Sequence, residues 1–197
     1  MKRIQISIIM FAITLVSIIS SCKKSPDNGA TCGSGLLCAT VDGTSYTASP
    51  YNTTTTGGFF GVGGTTTYKG SYAQLVPNAN TIGGYNLVVV GNNGTANTAA
   101  NYQLDFTIKE LPTNGGVYTT TGGSASFDYY AGSTTNQLHY VTDSTHTGTV
   151  TITSIDTVNN YVTGTFSYTA VEAPGQNYTP TTHTITSGSF TKILVRR

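Results

Sequence analysis

The sequence has no tryptophan, three histidines and three cysteines, and charged residues make up only 9% of it. A formal net charge of +1 gives no field to gather nucleic acid. After Arg3, arginine occurs only at Arg196 and Arg197, so no guanidinium clamp for phosphate or carboxylate is expected inside the chain. That terminal pair reads as a solubilising chain end. Disorder requires low hydrophobicity together with high net charge, whereas hydrophobic residues are 38% of this chain. The G-x-S-x-G elbow, the P-loop, H-E-x-x-H and C-x-x-C are all missing. His139, His146 and His183 would have to converge to hold a metal, and exposed strand-end histidines are the plainer expectation. Among the carboxylates, Asp105 and Glu110 fall on opposite faces of one strand. Asp42, Asp128, Asp143, Asp156 and Glu172 fall at or near strand ends. No pair stands out as a glycosidase couple. Neither a cofactor, a metal nor a catalytic residue is expected.

What the chain does have is threonine, tyrosine and glycine in alternating patterns, which favour strands. Val150 and Ile152 alternate with Thr149, Thr151 and Thr153. After the loop from Asp156 to Asn160, Val162, Phe166 and Tyr168 alternate with Thr163, Thr165, Ser167 and Thr169, so these two stretches predict a hairpin. Tyr102, Leu104, Phe106 and Ile108 alternate with polar residues. Leu87 to Val90 is apolar throughout and predicts a strand covered on both faces. Further strands are expected at residues 36–42, 45–49, 68–76, 117–121, 124–130 and 138–142. Near the end of the chain the apolar parity shifts between Ile185 and Phe190, which predicts a bulge at Ser187-Gly188. No helical stripe follows residue 21. About ten strands in one layer would leave an apolar face bare, so the fold expected is an antiparallel β-sandwich, with an up-and-down β-barrel as the alternative.

The N-terminus is of another kind. Lys2 and Arg3 precede an apolar run from Ile4 to Ile19, and Ser20 and Ser21 lead into Cys22. The run is shorter than a membrane-spanning helix requires and contains Gln5, Ser7, Thr14 and Ser17. It reads as a secretory signal. Ile19-Ser20-Ser21-Cys22 resembles the lipobox of bacterial lipoproteins, which implies cleavage before Cys22 and acylation of that residue. Two or more acyl chains suffice for stable attachment to a bilayer. The expected organisation is a signal peptide at 1–21, a lipidated tether at 22–35, rich in turn formers, and one β domain at 36–197. With Cys22 lipidated, Cys32 and Cys38 remain as an even pair in a chain bound for an oxidising compartment, and a disulfide between them is expected.

Three segments extend the resemblance. They are the Cys-Lys-Lys start, Val41 to Ala48 (Val-Asp-Gly-Thr-Ser-Tyr-Thr-Ala), and the late strands with Ile185 to Phe190. Together they resemble small Bacteroidota-type lipoproteins of a domain-of-unknown-function family. The resemblance implies a β fold and a place in the cell envelope, anchored in the outer membrane on its periplasmic face or at the cell surface. It implies no catalytic residue. Asp143-Ser144-Thr145 and Asp156-Thr157-Val158 resemble the short sites where exported proteins of that bacterial group receive O-linked glycans, on Ser144 and Thr157. Tyrosines near strand ends suit stacking on sugars, with Tyr129, Tyr130, Tyr161 and Tyr178 as the candidate contacts, although tyrosine also simply suits a pleated surface. The functional expectation is a lipid-anchored, non-enzymatic binding or structural domain. Alternatives are a surface glycan-binding lipoprotein and an envelope hydrolase without a motif. The expected partners are the membrane and a glycan or an envelope protein.

Overall fold

The computed structural model describes residues 32–56, 65–78, 84–93, 102–130, 137–177 and 182–196. The expected signal, Cys22 and most of the tether lie outside the described residues, as does Tyr178. The described chain is all β, in thirteen strands: β1 (Leu36–Val41), β2 (Thr44–Thr47), β3 (Asn52–Thr56), β4 (Thr65–Lys69), β5 (Tyr72–Pro77), β6 (Tyr85–Asn92), β7 (Tyr102–Ile108), β8 (Val117–Thr120), β9 (Ala125–Tyr130), β10 (Gln137–Val141), β11 (Gly148–Asp156), β12 (Tyr161–Glu172) and β13 (Thr182–Arg196).

Two layers result. One has the order β2-β1-β13-β12-β11-β8 and the other β5-β6-β7-β9-β10, and both are antiparallel within themselves. They are joined at two corners. The end of β13 runs parallel to β5 (Val195 opposite Ala73), and the end of β12 pairs with β10 (Val171 opposite Val141). The layers therefore pack as a sandwich whose edges are partly sewn into a barrel. β3 and β4 form a separate hairpin.

Alternation explains which face is dry. Val150, Ile152, Val162, Phe166, Tyr168 and Ala170 from one layer meet Leu87, Val89, Leu104, Phe106, Phe127 and Tyr140 from the other, all buried. At the centre the Phe106 ring lies 5.2 Å from Phe166 and 5.4 Å from Phe190 between centroids. Gly164 faces Phe190 because a Cβ there would come within 2.4 Å of Phe190 Cζ.

The long strand β13 serves both layers by bending twice. The expected bulge is present: Gly188 faces Phe166 but Ile185 faces Tyr168, and Ser187 takes a positive φ of 50°. A second, unanticipated bulge lies at Lys192 (φ 49°), whose N–H donates to Thr163 Oγ1. Bulges sharpen local twist, and here they carry the strand end across to β5.

The expected strand over 68–76 is a correction. It is two strands, β4 and β5, in different sheets, broken at Gly70, where φ is 80° and a Cβ would meet the Pro50 carbonyl at 2.1 Å. β3 was not anticipated, because Asn-Thr-Thr-Thr-Thr has no apolar alternation to read. Arg196 also differs from the expectation. Its guanidinium lies 3.5 Å from the centre of the Tyr68 ring, beside Tyr72, so it packs as a cation on aromatic surface rather than standing free in water. The Cys32–Cys38 disulfide is present.

Candidate functional site

β1 and β2 are joined by Asp42-Gly43, both with positive φ (47° and 80°), the geometry of a tight hairpin turn that Asp-Gly suits. This turn places Asp42 at one open end of the sandwich, over the start of β13. Asp42 Oδ1 accepts the Thr184 N–H at 2.8 Å, and Oδ2 pairs with His183 Nδ1 at 2.5 Å. The His183 side chain is buried, with rings around it: Tyr140 at 4.4 Å, Phe127 at 4.9 Å and Tyr129 at 5.7 Å, all met edge-on. Among the described residues, His183 Nε2 has no hydrogen-bond partner.

Beside this pair opens a cavity of about 330 Å³ between the layers. Its walls are Tyr46, Tyr102, Phe127 and Tyr129, and its polar rim includes Asp42, Ser45 and Asn93. The Tyr102 ring stacks on Phe127 at 5.9 Å with only 7° between planes, and on Tyr129 at 5.8 Å. Tyr102 is also held by its N–H to Asn93 Oδ1 and stays partly exposed. Tyr46 closes the floor, donating its hydroxyl to the Gly91 carbonyl at 2.7 Å, and burial pushes that hydroxyl well above the usual tyrosine range.

A second polar group lies on the outer face of the β5-to-β10 layer. Cross-strand register sets Asp105 opposite Ser126, and Asp128 opposite both Gln103 and His139. Ser126 Oγ is 2.8 Å from Asp105 Oδ2 and 3.0 Å from Asp128 Oδ2. One hydroxyl proton cannot satisfy two ionised carboxylates at once. Burial pushes the Asp105 carboxyl above the usual carboxylate range, against the lowering effect of hydrogen bonds from Ser126 and Gln103, and the Asp128 charge acts in the same upward direction. Asp128 Oδ1 pairs with His139 Nδ1 at 2.6 Å and accepts from Gln137. Asp128 is buried within the sheet, not at a strand end. Register thus brings Asp105 on β7 and Asp128 on β9 to one serine hydroxyl, an arrangement that no local spacing announces.

The three histidines do not converge. Each has its own aspartate, His139 with Asp128, His146 with Asp143 and His183 with Asp42. Among the described residues no group of three or more histidine, cysteine or acidic side chains is placed to hold a metal ion. Of the tyrosines singled out as glycan contacts, Tyr129 lines the cavity just described, while Tyr161 lines another at the opposite end of the sandwich. The Tyr130 backbone pairs with Gln137, and its side chain lies outside the described residues, with Tyr178. Ser144 and Thr157 are exposed in turns. Asp143 accepts N–H groups from Thr145 and His146, and these bonds, the His146 backbone first, hold its carboxyl far below the usual range. Asp156 similarly orders the turn by accepting from Val158 and Asn159. Tyr102 and the Asp42–His183 pair were missed as a site. Besides Tyr129, the Asp-Gly turn is a local signal that points there.

Comparison of the chain with protein-family models, with curated proteins and with solved structures finds no match.

Proposed function

We propose that this chain is a lipid-anchored protein of the bacterial cell envelope, held in the outer membrane through Cys22, whose β domain is a non-enzymatic binding module. The observation that carries the binding role is the aromatic-walled cavity beside Asp42 and His183. Its volume of about 330 Å³ falls at the lower end of small-ligand sites, and its few polar groups converge on one rim. A hydrolytic triad would need a hydroxyl on the second imidazole nitrogen, and the lone Nε2 of His183 favours binding over acyl transfer.

A glycan is the ligand class that this cavity suits. The Tyr102 ring offers an apolar face with a hydrated edge, and Asp42, Ser45 and Asn93 supply hydrogen-bonding groups around it. The test is a glycan array probed with the full chain in detergent, alongside Tyr102→Ala and Asp42→Asn. Binding that both variants weaken at least tenfold supports the reading. Binding unchanged by either variant, or no binding to any glycan class, removes it. Intact mass spectrometry of the membrane-extracted protein tests the anchor separately, by the fatty acids added at Cys22.

A further inference from the structure

Six large apolar side chains are exposed among the described residues, and four of them gather at the end of the sandwich opposite His183. Val76 and Tyr85 stand where β5 turns into β6, Leu111 follows β7, and Val158, 86% exposed, tips the turn between β11 and β12. At the same end Leu111 lines a cavity of about 250 Å³ together with Leu75, Leu87, Ile155, Tyr161 and Val195, and Val158 follows the lining residue Thr157. Scattered apolar residues need no explanation, but several gathered at one end of the sandwich beside an apolar hollow mark a contact surface.

The chain's own tether indicates the occupant. The fold is pinned at Cys32 by its bond to Cys38, leaving ten residues from Cys22 to 31 to bridge from lipid to domain. Fully extended, that stretch reaches about 35 Å, less than the roughly 40 Å that the twelve residues of β12 span at about 3.3 Å each. An acylated Cys22 therefore keeps the attachment point at Cys32 within one body length of the headgroups, where even a weak surface on the domain binds by effective concentration. Tyr85 and Tyr161 at this end have the apolar ring and polar tip that suit a membrane interface. Lys23 and Lys24 beside the anchor suit an anionic leaflet.

We propose that the end formed by Val76, Tyr85, Leu111 and Val158 rests on the lipid surface, presenting the His183 cavity away from the membrane. The inference rests on the lipid-anchored reading given above. It has a further consequence: Thr157 lies beside Val158 on the same turn, so a glycan there and contact with lipid exclude each other.

The experiment uses the full acylated chain in vesicles of phosphatidylethanolamine and phosphatidylglycerol. An environment-sensitive fluorophore is placed at Val158→Cys or, at the other end, at Thr44→Cys, both exposed positions that leave packing untouched. Contact predicts a blue-shifted label at 158, at least fivefold less accessible to aqueous iodide than the label at 44, and a gain in its accessibility on Leu111→Asp. Equal accessibility in acylated, vesicle-bound protein overturns this inference alone, as does a glycan on Thr157. An unmodified Cys22 with no flotation overturns the anchored reading and this inference with it.

Discussion

Truncating Phe106 to alanine tests the claim that the two layers are joined through one aromatic cluster. Phe106 is fully buried on β7, and its ring meets Phe166 on β12 and Phe190 on β13. Removing it forfeits the transfer of the ring from water and leaves a void wherever its neighbours fail to close in. A residual void of about 60–100 Å³ contributes about 1.5–2.4 kcal/mol at about 24 cal/mol per Å³, and with the transfer term such sites lose about 3–5 kcal/mol. Collapse is restricted here because Phe190 is already pressed against the backbone of Gly164. The expected loss therefore lies in the upper half of that range, a large part of the roughly 5–15 kcal/mol that holds a domain together. Urea unfolding followed by far-ultraviolet circular dichroism measures it, the chain having no tryptophan to report. Leu111→Ala, which removes exposed apolar surface, is the control and should change stability by no more than about 0.5 kcal/mol. A Phe106→Ala loss below about 1 kcal/mol, or one matching the control, would refute the packing of the layers through this ring.

Replacing both Cys32 and Cys38 by serine opens a loop with a sequence separation of six, and loop-closure entropy predicts a loss of about 2 kcal/mol in thermal unfolding; no change would mean that the bridge does not restrain the unfolded chain. Asp105→Asn tests the raised Asp105 carboxyl. Because the folded-state pKa of Asp105 is raised, its favourable contribution is complete below the unfolded value of about 4 and is lost as pH rises through the folded one. The variant should therefore gain stability relative to the parent between pH 4 and pH 7, and a pH-independent difference would contradict the assignment. Gly70→Ala combines a positive φ of 80° with a backbone collision at Pro50, so a loss of about 2 kcal/mol or more is expected by calorimetry. A neutral result would deny that Gly70 is the break between β4 and β5.

Local pattern was a good guide wherever one face of a strand is wet and the other dry. Val150 and Ile152 against Thr149 and Thr153, and Phe166 and Tyr168 against Thr165 and Ser167, announced both strands of the late hairpin and their inward faces. The turn between them is one residue shorter than expected, since Asp156 pairs with Tyr161. The parity shift before Phe190 likewise announced the Ser187 bulge. Pattern failed where it carries no contrast, in the all-polar β3, and where a single glycine breaks an apparently continuous strand, at Gly70.

The candidate site was legible only in fragments. Tyr129 was singled out for its ring, but its partners were not, because Asp42 and His183 are 141 residues apart and meet only when β1 lies against β13. Asp105, Ser126 and Asp128 are ordinary polar residues on alternating strands until the register of β7 and β9 sets them side by side.

Composition and periodicity alone determined that this chain builds strands with one dry face, since side-chain alternation follows directly from backbone geometry. Which strands pair, where β13 crosses between layers, and which aspartate His183 meets were decided by the closed tertiary arrangement, because those contacts depend on register between segments distant in sequence. The dry faces could be buried in more than one order of strands. Packing chose one, and with it placed the aromatic cavity at one end of the sandwich and the exposed apolar rim at the other.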